Sequence, residues 1–283
     1  MQISPQPFLF DCATFDLRDS HTSTSDRHLI MAHGIKLHVT GEFACFTRPE
    51  MKVERVSYDI MTPSAARGVL EAIYWKPQFR WRIDRIHLLN PVSFTSVRRN
   101  EVADKASIAN AKKAMNGSEI QLGIEIESAR QQRAALILRD VAYGIEASIE
   151  ILGRHFERGG PELSERACVG KHLAQFERRA RSGGHFHHPY LGNREFPARC
   201  EWVDQDSDFP PSTELSEVAN KDFGWMLHDL DYRDTNEKKG SFIESNRGRR
   251  IKAEPRFYRA RTDENGVIDV KQCLSESQPS VPS

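Results

Sequence analysis

The sequence has too few cysteines, in the wrong spacing, for a disulfide scaffold or a zinc site. Its five cysteines are scattered and odd in number, and none lies in a CxxC or Cys/His arrangement of zinc-binding spacing. We interpret them as free thiols in a reducing compartment. No run approaches the roughly 18 apolar residues of a membrane span, and the first residues lack the basic segment and long apolar core of a signal peptide. We therefore expect a cytoplasmic protein that does not contact a membrane.

The sequence also lacks net charge, because 40 basic residues are balanced by 40 acidic ones. The charge of the whole molecule therefore predicts attraction to neither nucleic acid nor membrane. One segment departs from this balance: residues 166–199 hold seven Lys or Arg (166, 171, 178, 179, 181, 194 and 199) against Glu177 and Glu195. An acidic stretch follows from Asp204 onward. The cationic segment is therefore the candidate contact for an anionic partner such as a phosphodiester.

The apolar pattern predicts an α+β fold. Residues 35–43 alternate as in a half-buried strand, and Thr62-Pro63 begins a helix that ends near Tyr74. Residues 79–89 alternate again and predict the next strand. This strand–helix–strand order is that of the opening of a ferredoxin-like unit. Residues 1–30 show no such pattern and are interpreted as a disordered leader, or as the product of a start codon upstream of the true start at Met31.

The rest of the chain predicts further strands and one basic helix. The expected elements are a polar, weakly helical insertion at 98–117, a strand at 133–151, a break at 159–161, a helix at 172–181, and strands within 189–203, 222–232 and 254–270. We expect a ferredoxin-like domain over residues 31–200, including the helix and the glycine-rich loop after it. A smaller, mostly β region should follow over 201–270, and a Ser- and Pro-rich disordered tail over 271–283.

Lys171 and His172 stand just ahead of the predicted basic helix. An imidazole that titrates near neutral pH serves as a general acid or base, and an ammonium stabilises charge on a phosphoryl oxygen. A single histidine is also a common structural residue, and Lys-His pairs at helix starts occur by chance. The residue types alone leave both interpretations open.

Tyr74 lies in the motif IYWKP, at the predicted end of a helix, and Lys76 adds a charge beside it. Spacing alone favours a boundary aromatic whose hydroxyl reaches water. If this helix end faces the basic segment, Tyr74, Lys171 and His172 together would supply an orienting hydroxyl, an electrostatic clamp and a proton-transfer group. Such a set could cleave RNA without a metal.

His185, His187 and His188 form the motif HFHH, which invites a metal interpretation. No carboxylate or cysteine at ligand spacing completes such a site, and Asp229 and Asp231 are explained by a solvated strand face. Glycines 183 and 184 allow backbone N–H groups to approach phosphates. The segment matches neither GxxxxGK[ST] nor GxGxxG, so no nucleotide cofactor is expected.

Four motifs in one order resemble the subtype I-C (Dvulg) branch of the CRISPR-associated Cas-five family, in the RAMP superfamily. They are IYWKP (73–77), GKH (170–172), GG…LGNRE (183–195) and FGWML (223–227), and the resemblance runs from about Met31 to Val270. It implies a ferredoxin-like, RRM-related N-terminal domain and a smaller, mostly β C-terminal domain. The first 30 residues and the motif HFHH depart from the family pattern.

The resemblance implies an endoribonuclease that cuts CRISPR repeat RNA, with Tyr74, Lys171 and His172 as catalytic residues. The product crRNA would stay bound by its 5′ handle in a type I-C surveillance complex with backbone and large subunits, a complex that also engages target DNA. Without metal or cofactor, the 2′-OH of the substrate is the nucleophile, and the products carry 2′,3′-cyclic phosphate and 5′-OH ends. The expected RNA contacts are Lys76, Arg178, Arg179, Arg181, Gly183, Gly184, His185 and Arg194.

Two other hypotheses stay open from the sequence. The first is a non-catalytic subunit that holds the guide handle through the same basic surface. The second is a metal-dependent nuclease that uses HFHH with Asp229 and Asp231.

Overall fold

The structure, a computed structural model, describes residues 34–51, 53–120, 122–152, 163–237, 241–243 and 248–277. The predicted leader, Met31 and the predicted break at 159–161 lie outside these residues. The strands are β1 (Ile35–Ala44), β2 (Phe79–Leu88), β3 (Phe94–Val102), β4 (Arg130–Ile151), β5 (Arg199–Val203), β6 (Asp222–Asp234), β7 (Ser241–Ile243), β8 (Arg250–Arg261) and β9 (Val267–Asp269). The helices are α1 (Pro63–Ile73), α2 (Ile108–Met115), α3 (Ile126–Ala129), α4 (Glu165–Ser182), α5 (Leu215–Val218) and α6 (Val270–Ser277).

The local signals of the first third of the chain give the expected elements. Ile35, Leu37 and Val39 alternate along β1 and are fully buried, as the period-2 pattern predicts. Helix α1 begins at Pro63 because the Thr62 side chain accepts a hydrogen bond from the N–H of Ala65 and proline fits the first turn. The predictions of β1, α1 and β2 are confirmed.

The long strand β4 is the centre of the larger sheet. Its C-terminal half pairs antiparallel with β1 on one side and β2 on the other, while its N-terminal half pairs with β3. The order is β5–β1–β4–β2–β9, with β3 as an additional arm. One buried cluster joins this sheet to α1 and α4, and Trp81 of β2 meets Phe176 of α4 with ring centres 4.8 Å apart. Both helices therefore cover one face of the sheet.

The second sheet has the order β6–β8–β7, and its pairs are also antiparallel. Met226 of β6 and Tyr258 of β8 are fully buried and belong to the same cluster as the larger sheet. The fold is therefore α+β with antiparallel sheets, as predicted. No helix in the described part of the chain is long and apolar enough to cross a membrane.

Two sequence predictions were confirmed only in part. The predicted polar insertion at 98–117 begins with the end of strand β3, and only its later part, α2, is helical. Both faces of β3 are partly or fully exposed, so the strand carries no apolar alternation. In the predicted strand at 189–203 only β5 is regular, because Pro189, Gly192 (φ 82°) and Pro197 interrupt the preceding residues.

The C-terminal region also differs from its prediction. Strand β5 spans the predicted boundary at residue 200 and pairs with β1, while β9 pairs with β2. Segments on both sides of that boundary therefore complete one sheet. Helix α6 occupies residues 270–277, where a disordered tail was expected from 271, and it buries Val270 and Cys273. The Ser- and Pro-rich composition of this segment led to the prediction of disorder, although Val270 and Cys273 pack into the core.

Candidate active site

The C-terminal end of α1 holds Tyr74 in a fixed position. Tyr74 has extended backbone angles, its N–H donates to the carbonyl of Leu70 at 2.9 Å, and its own carbonyl accepts from the Trp81 indole at 3.0 Å. Its ring stacks on Phe79 with centroids 5.7 Å apart. Backbone and ring are thus both fixed where the helix ends, and the motif IYWKP is the turn between α1 and β2.

Helix α4 begins seven residues earlier than predicted, at Glu165, where the Ser164 side chain caps it by accepting from Ala167 N–H. Lys171 and His172 therefore lie inside the helix, and the prediction that they precede it was wrong. Among residues 165–171 only Cys168 is fully buried, with Val169 packed against the core, and the prediction of the helix start did not use these two positions. Neighbouring helical residues point about 100° apart, which leaves Lys171 exposed and His172 only 4% exposed.

The two helices bring Tyr74 and His172 into contact. The Tyr74 hydroxyl and His172 Nδ1 are 2.9 Å apart in a buried hydrogen bond, although the residues are 98 positions apart in the chain. Phe79 packs against the imidazole at 4.7 Å between ring centres. Either group donates, depending on which imidazole nitrogen carries the proton. The phenol and the imidazole therefore share one buried hydrogen bond.

Arg179 is the neighbour that sets the charge around Tyr74. Its Nη1 donates to the carbonyl of Ile73 at 3.0 Å, and its guanidinium carbon lies 5.4 Å from the centre of the Tyr74 ring. Burial raises the pKa of Tyr74, and the positive charge of Arg179 partly offsets this effect. At neutral pH Tyr74 is therefore a protonated hydroxyl, suited to donate a hydrogen bond.

This role of Arg179 was missed by sequence reasoning, which placed the residue among the RNA contacts. Here its side chain is half-buried and engaged within the protein. A signal was present in the sequence, because Arg179 follows His172 by seven residues, which is two helical turns along the same face. That spacing became useful only once the start of α4 was known.

The other predicted RNA contacts lie along α4 and in the segment after it, except Lys76, which lies in the turn between α1 and β2. Gly183 ends the helix in the left-handed conformation at φ 69°. Arg181 pairs with Glu177 at 2.9 Å and with Asp204, so its charge is engaged. Exposed side chains are those of Lys76, Arg178, His185 and Arg194, and Gly184 is half-buried. A cationic surface therefore adjoins the Tyr74–His172 pair.

The histidine motif does not assemble a metal centre. Within the ranges that the structure describes, no three His, Cys, Asp or Glu side chains are grouped so that they could hold a metal ion. His185 and His188 stack on each other with ring centres 5.3 Å apart, and Asp229 pairs with Arg67 at 2.7 Å. The metal-nuclease hypothesis therefore lacks the cluster that it requires. Among the residues that the structure describes, four cysteines are free thiols, as predicted: Cys45, Cys168, Cys200 and Cys273.

The fold and the site define an α+β protein with a buried tyrosine–histidine pair at the edge of a cationic surface. A family model described as CRISPR-associated protein (Cas_Cas5) matches residues 34–271 of this chain. The chain therefore belongs to the CRISPR-associated Cas5 family, and the resemblance found in its motifs is confirmed.

Two relatives share the name CRISPR pre-crRNA endoribonuclease Cas5d. The protein of Mannheimia succiniciproducens is 46% identical over 248 residues, which cover 87% of this chain and 98% of the relative. That of Thermus thermophilus is 42% identical over 239 residues, covering 83% and 90%. A solved structure of a functionally uncharacterized Streptococcus mutans protein superposes with a TM-score of 0.52 at 21% identity, covering 87% of this chain and 95% of that one. This last likeness supports the fold alone.

Proposed function

We propose that this protein is an endoribonuclease that cleaves CRISPR repeat RNA. The names of its relatives supply the substrate class. The observation that carries the proposal is the 2.9 Å hydrogen bond between the Tyr74 hydroxyl and His172 Nδ1, with Lys171 exposed on the same turn of α4. Tyr74 at the end of α1 and His172 in α4 would form the proton-transfer pair, next to Lys171, which would contact an RNA phosphate.

The proposed reaction needs no metal. The 2′-OH of the nucleotide before the cut attacks the phosphorus, the bond from phosphorus to the 5′-oxygen breaks, and the products carry 2′,3′-cyclic phosphate and 5′-OH ends. His172 would either take the proton of the 2′-OH as general base or give a proton to the leaving 5′-oxygen as general acid, and water would supply the other proton transfer. The protonated Tyr74 would orient His172 or relay its proton. Lys171 stabilises the negative charge on the pentacoordinate phosphorus. DNA lacks the 2′-OH, so it would bind without being cut.

We further propose that the enzyme keeps its product. The exposed Lys76, Arg178 and Arg194, with His185 and the glycines that end α4, would contact RNA phosphates. Arg181 would contribute less, because its carboxylate partners would have to release it. The bound crRNA 5′ handle would anchor the protein, in the cytoplasm, in a type I-C surveillance complex with backbone and large subunits that engages target DNA.

The finer fold assignment belongs to the same proposal. The order β5–β1–β4–β2, with α1 after β1 and α4 after β4 on one face, supports a ferredoxin-like, RRM-related unit. Strand β3 would then be an addition to that unit. A mostly β C-terminal part would be the sheet β6–β8–β7.

Single-turnover cleavage of repeat RNA in EDTA tests the function. We expect the wild-type protein to cut the RNA and His172→Ala to lose this activity. His38→Ala should behave as wild type, because His38 lies on β1 and pairs with Glu201 of β5, away from the candidate site. A substrate with 2′-deoxy at the cut site should stay intact. Cutting that persists in His172→Ala, or in the 2′-deoxy RNA, would refute the assigned chemistry. Loss of all activity in EDTA would revive a metal mechanism.

A second candidate is a subunit that holds the crRNA handle without cutting. It is favoured by one observation: Tyr74 and His172 are 6% and 4% exposed, as a purely structural pair would be. Under this alternative, alanine variants of Tyr74, Lys171 and His172 would bind repeat RNA like wild type, and wild type would not cleave it.

A further inference from the structure

Two aromatic side chains extend into solvent beside the end of α1. Trp75 follows Tyr74 directly, and its side chain is 51% exposed. Phe186, in the loop after α4, is 85% exposed, and its backbone N–H donates to the carbonyl of Ala72 at 2.7 Å. Both aromatic residues therefore stand next to the turn that carries Tyr74. The proposed chemistry uses neither of them.

Phe186 is held in place although its ring is exposed. Besides the bond from its own N–H, the Gly184 N–H donates to the carbonyl of Arg179 at 2.8 Å, so the loop is tied at both points. The ring meets His187 nearly edge-on, with centroids 6.1 Å apart. Phe186 is the most exposed aromatic side chain in the part of the chain that the structure describes. An exposed aromatic ring on a backbone held by hydrogen bonds is suited to stack on a planar ligand.

The charges nearby identify the chemistry of that ligand. Lys76 follows Trp75 directly in the chain, and Lys171 lies on the turn of α4 that carries His172; both side chains are exposed. A different surface gives the contrast: Trp225 is 57% exposed on β6, but its cross-strand neighbour Arg259 is neutralised by Asp222 at 2.8 Å. Exposed rings with an exposed lysine next to one of them suit single-stranded RNA, whose phosphates contact cations and whose bases stack on aromatic rings.

We propose that Phe186 and Trp75 stack on unpaired bases of the RNA beside the cut site. This inference rests on the proposed function and adds a ligand contact to it. Stacking tolerates any base, because every base has a π-face. The two rings would therefore hold the strand at a fixed depth, with the scissile phosphate over Tyr74 and His172, and would not read its sequence.

Binding of a cleavage-blocked repeat RNA tests the proposal. The RNA carries 2′-deoxy at the cut site and 2-aminopurine at the nucleotides on either side, whose fluorescence is quenched by stacking. We expect Phe186→Ala and Trp75→Ala each to weaken binding roughly tenfold and to relieve the quenching. Phe186→Tyr should behave as wild type, whereas Phe186→Leu, which is apolar but has no ring, should resemble Phe186→Ala. Because both side chains are exposed, thermal unfolding should be unchanged.

Trp225→Ala and Phe257→Ala are matched controls, since both side chains are exposed on the second sheet. They should leave binding and quenching unchanged. Wild-type affinity and quenching in both Phe186→Ala and Trp75→Ala would overturn the proposal, as would full function of Phe186→Leu. Normal RNA binding with lost assembly into a co-expressed complex would overturn it in favour of a protein contact. Quenching by a wild-type protein that never cuts all-ribose RNA would support stacking and refute the nuclease instead.

Discussion

The substitution Tyr74→Phe removes one oxygen from the centre of the site. The hydroxyl lies 2.9 Å from His172 Nδ1, while the ring contacts with Phe79 and Arg179 need no hydroxyl. The variant therefore keeps the packing of α1 against α4 and loses only the bond. Any change in cleavage can then be assigned to the phenol oxygen.

The structure sets two scales for the effect. A buried polar atom that loses its partner costs about 1–3 kcal/mol, and each ~1.4 kcal/mol of barrier is a factor of about ten in rate. If the hydroxyl only orients His172, cleavage should therefore slow by roughly 5- to 150-fold. Loss of a proton-transfer group costs about 10²- to 10⁴-fold. A loss well above 150-fold would assign Tyr74 a part in proton transfer.

The assay is single-turnover cleavage at saturating enzyme, run for Tyr74→Phe, His172→Ala and the double variant. Two groups that act as one unit should be non-additive, so the double variant should be little slower than His172→Ala. Tyr232→Phe is the matched control, because its ring is exposed on β6. A Tyr74→Phe rate within twofold of wild type would refute the role of the hydroxyl, and full additivity would refute the coupling.

Three further changes have expected outcomes. Gly144→Ala should lower the free energy of unfolding by about 1–3 kcal/mol, measured by urea denaturation, because the added Cβ would lie 2.8 Å from the Phe209 ring. The 2.9 Å hydrogen bond with His87 is the main cause that lowers the pKa of Glu146 in the folded protein. The ionised Glu146 therefore stabilises the fold fully above its ordinary pKa of 4.5, and this stabilisation is lost as the pH falls through the lower pKa of the folded state. His87→Leu should therefore destabilise the protein at neutral pH and make its unfolding free energy less dependent on pH below about 4.5. Arg178→Ala should weaken RNA binding and reduce the slope of log K against log salt by about 0.7–0.9.

Each of these outcomes has a control. Gly68→Ala on α1 meets no atom within 4 Å and should be neutral or stabilising, so equal losses at both glycines would contradict the Phe209 argument. Arg181→Ala should change the salt slope less than Arg178→Ala, since Glu177 and Asp204 already neutralise it. An unchanged slope in Arg178→Ala would exclude a phosphate contact there. A pH profile unaffected by His87→Leu would exclude that pair as the source of acid sensitivity.

The sequence predicted those elements whose signals are local. Strand β1 and helix α1 were found from apolar period and from the Thr62-Pro63 start, which act within a few residues. Strand β3 was missed because it is mostly exposed and has no apolar face to reveal its period. The first turns of α4 were missed although Cys168 and Val169 pack inward there. Strand β9 lies within the range 254–270 that was predicted to hold strands, but its pairing with β2 was not predicted.

The site divides in the same way. The residue types and the end of α1 were readable, so Tyr74 and His172 were selected as candidates, although spacing alone favoured a Tyr74 hydroxyl in water and the start of α4 was predicted too late. Their 2.9 Å contact depends on two helices packing across one sheet, which no local pattern encodes. The burial of both rings and the inward turn of Arg179 follow from that packing too.

The end of α1 would bring the proposed RNA contacts and the proposed chemistry to one place. The last carbonyls of a helix have no partner within it and must find donors elsewhere. Here the Phe186 N–H reaches the carbonyl of Ala72, and the Arg179 side chain reaches that of Ile73. Satisfying these carbonyls fixes α4 against α1, and His172, two turns before Arg179 on the same face, is thereby set against Tyr74. The loop that carries Phe186 is hydrogen-bonded to the same helix end. An RNA strand bound by this loop would therefore be aligned with the hydroxyl–imidazole pair without a conformational change.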